Sequence, residues 1–232
     1  MERIVKPGTP AETRPIQVDG LRFGYPGGFS LDVPTFTVEA GERVALTGTS
    51  GSGKTTLLHL VAGILAPEAG RVETAGLDVA GLTHEERQDL RILRLGLVFQ
   101  EFELLEYLNV LDNVLLPYRL SPLLESGPDV RARAEALLAD MGIGDKAGRR
   151  PDQLSQGERQ RVAVCRALVT QPAVLLGDEP TANLDPGHRD HVLGTMLEYG
   201  STTQAPVLVV THDHEVLERF DRVIDIAEVV AA

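Results

Sequence analysis

The sequence predicts an α/β protein with a mostly parallel sheet, an N-terminal antiparallel β layer and an inserted helical subdomain. Three observations carry this. Apolar runs of strand length alternate with helical patterns from Val44 onward, and a glycine-rich loop joins one such run directly to a helix. The stretch from Glu101 to Ala147 has helical spacing and breakers but no strand pattern.

Taken in order, residues 1–15 carry three prolines, Pro7, Pro10 and Pro15, with little apolar content. They are expected to form a flexible lead-in, leaving 16–232 as one domain. The alternating segments Ile16 to Phe23 and Phe29 to Val38 flank the turn Tyr25-Pro26-Gly27-Gly28, the pattern of an antiparallel pair. Val44-Ala45-Leu46 reads as a short buried strand, Gly48 to Gly53 as a loop, and Lys54 to Leu65 as a helix. Further strands are predicted at Leu95 to Phe99, Ala173 to Leu176 and Val207 to Val210. Helices are predicted at Glu85 to Leu93, Val130 to Met141, Glu158 to Val169 and Arg189 to Leu197. The insert contains the breakers Pro117, Pro122, Gly127 and Pro128; with the helix after it, the helical subdomain spans about 101–170.

The chain has 22 basic and 34 acidic residues, a formal net charge of −12. Such a balance argues against nucleic acid as a partner, since polyanion binding draws on a basic surface. A single cysteine, Cys165, cannot form an intramolecular disulfide, and no basic segment followed by an apolar one opens the chain. Both features point to the cytoplasm. Cys165 falls at helical spacing with Val162 and Val169, so it reads as core and not as a nucleophile. The longest nearly apolar stretch, Leu57 to Ala66, is interrupted by His59. It is well short of the roughly 20 residues a membrane-spanning helix needs.

Chemistry enters at Gly48-Thr49-Ser50-Gly51-Ser52-Gly53-Lys54-Thr55, which fits the G-x-x-x-x-G-K-[ST] phosphate loop. Glycines let backbone N–H groups converge on phosphate oxygens, and the helix N-terminus adds its partial positive charge. Lys54 reaches the β/γ-phosphates, the Thr55 hydroxyl ligates Mg²⁺, and Thr56 completes the binding set. The predicted strand Ala173 to Leu176 runs on through Gly177 into Asp178-Glu179. Asp178 is the candidate metal-side carboxylate; Glu179 can orient a water attacking the γ-phosphate or serve as its general base. Loop and acids alone would equally fit kinases, GTPases and motors. Leu154-Ser155-Gln156-Gly157-Glu158 reads locally as an S-x-x-E capping box before a helix. A cap does not require Gly157, however, and the helix start offers N–H groups to a phosphate.

The whole set, Gly48 to Thr55, Gln100, Leu154 to Glu158, Asp178-Glu179, Asn183-Leu184-Asp185 and His212, resembles in this order the ATP-binding subunit of ATP-binding-cassette (ABC) transporters, with its P-loop NTPase core. The resemblance covers about residues 16 to 226 and implies ATP and Mg²⁺ as cofactors and ATP hydrolysis as the activity. It implies that Leu154 to Glu158 is the family signature, with Gln156 in place of a glycine and Glu158 in place of a glutamine, and with Ser155 and Gly157 retained to face phosphate. Gln100 resembles the glutamine that contacts Mg²⁺ or water and senses the γ-phosphate, and Asp185 belongs to a loop that crosses the dimer interface. His212 resembles the switch histidine at the γ-phosphate; the other histidines have no such place. Tyr25 resembles the aromatic that stacks on adenine. The implied partners are a second copy of the chain and a transmembrane permease, with the subunit peripheral on the inner face of the cell membrane.

Within the family, the segments Leu97 to Leu105 and Leu108 to Pro117 look like the ATPases of lipoprotein release and of macrolide efflux. The insert is expected to carry a groove for a permease helix, with Phe102, Leu104, Leu105, Tyr107 and Leu108 as its candidate lining. The competing reading is an ABC ATPase of the iron–sulfur scaffold type, which has no membrane partner.

Overall fold

The computed structural model describes residues 15–182 and 184–231. The lead-in expected to be flexible therefore lies, apart from Pro15, outside the described residues, as does Asn183. The fold opens with β1 (Ile16–Gly24) and β2 (Ser30–Val38), paired antiparallel across the turn at Tyr25. β3 (Arg43–Thr47) leads through the glycine-rich loop into α1 (Lys54–Val61). The helix stops short of the expected Leu65, because Gly63 turns the chain at φ 65° and the Ile64 and Leu65 N–H groups both return to the His59 carbonyl.

Two strands that the sequence does not announce come next, β4 (Ala69–Thr74) and β5 (Leu77–Asp78). They extend the antiparallel layer to the order β2-β1-β4-β5. At the register shift between β1 and β4, Gly70 (φ +88°) lies so close to Gly20 that a Cβ there would sit 2.2 Å from the Gly20 carbonyl oxygen. α2 (His84–Arg94) starts from a Thr83–Glu86 capping box and runs into β6 (Leu95–Val98).

The insert is helical among the described residues: α3 (Val110–Val114), α4 (Leu116–Leu120) and α5 (Pro128–Asp140), with a 3₁₀ turn at Gly144–Lys146. After it come α6 (Gln156–Leu168), β7 (Val174–Asp178), α7 (Pro186–Thr203), β8 (Val207–Val210), β9 (Arg222–Asp225) and α8 (Ile226–Val229). α7 is twice the length expected. Its polar C-terminal turn is held by hydroxyls: Ser201, Thr202 and Thr203 donate to carbonyls of the preceding turn, and the helix ends at Gln204 with φ 60°.

The second sheet is parallel, in the order β6-β7-β8-β3-β9. Alternate residues on its strands serve two different cores. Val44, Leu46, Val174, Leu176, Leu208 and Val210 pack toward α1 and the antiparallel layer. Ala45, Leu175, Val207 and Val209 pack toward α6, α7 and the insert. A sheet covered on both faces has strands that are apolar throughout, which is why Val174–Leu176 and Val207–Val210 were legible as strands. The C-terminal ends of β3, β6, β7 and β8 all emerge on one edge, where open α/β sheets place their ligands.

Candidate functional site

At that edge the loop after β3 turns on glycines at left-handed backbone angles: Gly48 (φ +137°), Gly51 (φ +78°) and Gly53 (φ +101°). Gly53 is the N-cap of α1. It offers no side-chain cap, and no acid occupies the first turn, so the helix N–H groups face outward without an internal anion. Lys54 Nζ folds back and donates to the carbonyls of Gly48 and Thr49, at 2.8 Å each. Ser52 Oγ donates to the Thr49 carbonyl at 2.7 Å, closing the outer rim of the loop.

The other strand ends converge on this loop. Thr55 Oγ1 donates to Asp178 Oδ1 across 3.1 Å, joining α1 to the end of β7. Burial pushes the Asp178 carboxyl up from its ordinary value, opposed by the Thr55 hydroxyl. Glu179 follows at φ 49°, in the left-handed region that costs a side-chain-bearing residue energy, and its N–H donates to the Val210 carbonyl at 2.9 Å. That bond brings the ends of β7 and β8 together. His212 Nδ1 then lies 2.8 Å from Glu179 Oε1, and the His212 N–H points to Glu179 Oε2 at 3.4 Å. The Glu179 side chain is 14% exposed and that of His212 72%, so a mostly covered carboxylate is met by an imidazole open to the cavity.

The cavity over the loop measures about 430 Å³. Of the residues expected at the nucleotide, Tyr25, Gly48, Ser50, Gly51, Gly53, Lys54, Thr55, Thr56, Gln100, Asp178, Glu179 and His212 line it. Thr49 and Ser52 do not; they bond to one another on the loop's rim. Phe29 and Val210 line it as well and were missed by sequence reasoning. Phe29 carries no motif; it enters because its ring packs over Gly53, where a Cβ would come within 3.0 Å of Cζ. Tyr25 is 42% exposed and its ring lies 6.1 Å from that of Phe29, so it stands at the mouth and is not packed into the core.

Ser155, Gly157 and Asp185 line no part of this cavity. Ser155 caps α6 and is exposed; Asp185 caps α7 and is bonded to His188 through both carboxylate oxygens. The two helix starts touch, since a Cβ on Gly157 would meet Leu184 and His188 at 3.6 and 3.7 Å. One chain thus carries a phosphate loop with its acids, and separately a face made of the α6 and α7 starts.

An apolar cavity of about 290 Å³ lies between the insert and the parallel sheet; the five residues expected to line a permease groove are not among those that line this cavity. Its lining includes Ile64, Ile92, Leu97, Phe99, Leu116 and Leu120. Arg166 of α6 takes the carbonyls of Phe102 and Glu103, Asn113 holds both backbone groups of Leu105, and Leu104 packs on the core; Tyr107 is 70% exposed. Cys165 is buried as expected, and burial pushes its thiol up to about 12.

Comparison with known proteins agrees with this geometry. Residues 31–182 match the family described as ABC transporter. The chain is 41% identical over 212 residues to the lipoprotein-releasing system ATP-binding protein LolD of Cereibacter sphaeroides, covering 89% of this chain and 94% of that one. It is 42% identical to the macrolide export ATP-binding/permease protein MacB of Rhodopirellula baltica, covering 90% of this chain but only 31% of that longer one. Among solved structures, a bacterial ABC transporter cassette determined as a dimer superposes with a TM-score of 0.82 at 31% identity, over 90% of this chain and 93% of that one. A dimer of the same cassette in a post-hydrolysis state, bound to ADP and Pi, gives a TM-score of 0.82 at 30% identity. With a phosphate loop, a paired acid and imidazole, and relatives aligned over nearly its whole length, the chain belongs to the ABC transporter family as an ATP-binding, ATP-hydrolysing subunit.

Proposed function

We propose that two copies of this subunit close around ATP and that the hydrolysis so gated drives a permease of the lipoprotein-release or efflux type. The observation that carries the reading is the Glu179–His212 pair at 2.8 Å, inside the one cavity that also holds Lys54, Thr55 and Asp178.

In this reading the α1 N-terminus and Lys54 bind the phosphates, and Tyr25 stacks on the base. Glu179 accepts the proton of a water attacking the γ-phosphorus, the bond to ADP breaks, and the products are ADP and phosphate. His212 holds that carboxylate through Nδ1 and presents Nε2 to the γ-phosphate. Ser155, Gly157 and Asp185, which lie off the cavity, serve the nucleotide of the other copy, so a lone subunit is incomplete.

Mg²⁺ fits the oxygens present: the Thr55 hydroxyl, the Gln100 amide oxygen, and Asp178 through water. A cation would relieve the burial that raises the Asp178 carboxyl. Among the described residues no cluster of three His, Cys, Asp or Glu side chains could hold a metal alone, which suits an ion bound largely by nucleotide phosphates. When bound, the ion neutralises charge on the transferred phosphoryl group.

No helix among the described residues is long and apolar enough to cross a membrane, so a membrane role rests on a partner. The groove bounded by the exposed side chains of Ile64 and Leu120 fits an apolar permease helix, with the subunit peripheral on the inner face of the membrane.

The test is Glu179→Gln, which keeps shape and removes the base. Hydrolysis should fall by about 10²–10⁴ and an ATP-bound dimer should accumulate on size exclusion with ATP and Mg²⁺. A variant that stays monomeric, or hydrolyses ATP at the parent rate, refutes the shared site. Recovery of the native chain from membranes without a permease would refute the transport role.

A further inference from the structure

The turn Leu154 to Glu158 ends in a carboxylate in the first turn of α6. Glu158 is the third residue of α6. Its Oε2 accepts from the Ser155 N–H at 2.8 Å, while its own N–H donates to Ser155 Oγ at 3.3 Å. A carboxylate in a helix's first turn occupies the positive end of the dipole, the same field that an incoming phosphate uses, and repels that phosphate. Left unbalanced, Glu158 would oppose the role assigned to Ser155 and Gly157.

The balance comes from Lys146, whose Nζ donates to Glu158 Oε1 with both side chains largely covered, 20% and 16% exposed. Of the chain's three lysines, Lys6 lies outside the described residues and Lys54 serves the phosphate loop. Lys146 ends a 3₁₀ turn anchored by the buried Ile143, whose carbonyl accepts from the Lys146 N–H at 3.0 Å. The same loop is fixed to the insert. The carbonyls of Arg149 and Ala147 accept from Val110 and Leu111, the first-turn N–H groups of α3, at 2.8 and 3.0 Å.

We propose that Lys146 is a positioning residue for ATP hydrolysis: by neutralising Glu158 it holds Ser155 in place and lets the turn accept the phosphates of the opposite copy's nucleotide. The inference rests on the shared-site reading above. It adds that the charge of this turn is balanced from the insert, on a loop pinned to α3 and one helix removed from the groove-lining α4. The bond from Lys146, with that from the Ser155 N–H, holds the Glu158 carboxyl down to about 2, the shift expected of a carboxylate that these two donors stabilise.

The experiment measures steady-state ATP hydrolysis and ATP-dependent dimer formation for the full chain. Lys146→Ala should lower kcat about tenfold while leaving KM for ATP within about twofold, because the subunit's own phosphate loop is untouched. Lys146→Gln, which keeps length and a donor but not charge, should fall equally and guards against loss of packing. Lys146→Arg should stay near the parent rate. The deciding variant is Lys146→Ala/Glu158→Gln: removing the unbalanced carboxylate should return kcat to within about threefold of the parent. All rates are taken well below the Tm of every variant, so that a purely structural ion pair, whose loss and rescue would show in Tm, leaves kcat unmoved. A parent-like kcat for Lys146→Ala and Lys146→Gln, or a double variant no faster than Lys146→Ala, overturns the proposal. If Glu179→Gln forms the ATP dimer in the same assay, that result leaves the shared site standing; if Glu179→Gln stays monomeric, the shared-site reading falls and the role of Lys146 with it.

Discussion

The Glu179–His212 contact allows a quantitative test by double-mutant cycle. His212→Ala removes one charge-assisted hydrogen bond at 2.8 Å and leaves Glu179 with its backbone anchor to Val210. A hydrogen bond to a charged group is worth about 1.5–3 kcal/mol, and the 72% exposure of the imidazole discounts this toward about 1–2 kcal/mol. Expressed as lost transition-state stabilisation, that is a fall in kcat of about 5- to 30-fold. Glu179→Gln removes the base itself and should cost about 10²–10⁴. Once the carboxylate is gone the histidine keeps only its Nε2 contact with the γ-phosphate, so the double variant should be slower than Glu179→Gln by less than the full 5- to 30-fold. Phosphate release gives kcat, and titration with a fluorescent nucleotide gives affinity. Lys54→Ala serves as the contrast, losing affinity where His212→Ala keeps it. Costs of Glu179→Gln and His212→Ala that simply add, or equal affinity losses in His212→Ala and Lys54→Ala, would refute the argument that acid and imidazole act as one unit.

Three further outcomes are expected. Gly70→Ala places a side chain at φ +88° and a methyl against the Gly20 backbone, for a loss of about 3–4 kcal/mol and a Tm drop on the order of 10 °C; an unchanged Tm would contradict the close approach of β1 and β4. Leu120→Glu puts a charge at the groove's exposed rim and should abolish co-purification with the permease at unchanged Tm, whereas retained association would move the docking site elsewhere. Glu158 titrates near 2 when folded and near 4.5 otherwise, so its contribution to stability is present above about pH 4.5 and is lost as pH falls toward 2. Thermal melts between pH 5 and 3 should therefore show a smaller acid loss for Lys146→Ala than for the parent; identical slopes would count against the ion pair.

What the sequence made legible follows from local physics. The phosphate loop needs its glycines and lysine at fixed spacing, β7 is apolar because both faces are covered, and α6 announces itself by the Ser155–Glu158 cap. β4 and β9 escaped because so little of each is buried. Only Val72 and Thr74 of β4 are fully covered, and only Ile224 of β9, so neither strand has an apolar run or a clean alternation. The last six residues of α7, Glu198 to Thr203, escaped because hydroxyl bonds, not apolar spacing, continue the helix. The path of the chain at 102–105 was not legible either, since Arg166, some 60 residues on, and Asn113 hold its backbone groups. Ser155, Gly157 and Asp185 lie off the cavity, and the role proposed for them, on the nucleotide of a second copy, is one that no local pattern encodes.

The two-sided parallel sheet also fixes where this chain can change its length. In β7, Val174 and Leu176 belong to one core and Leu175 to the other, and the strand delivers Asp178 to Thr55 at its last position. One inserted or deleted residue would exchange every side chain between the two cores and carry the acid about 3.3 Å from its partner, so the strand has a reading frame as strict as that of a codon. The exposed residues 125–127 between α4 and α5 have no such frame. Drift in length, and any tag or reporter domain spliced into the chain by design, is therefore confined to places like this connection, while the strands keep count.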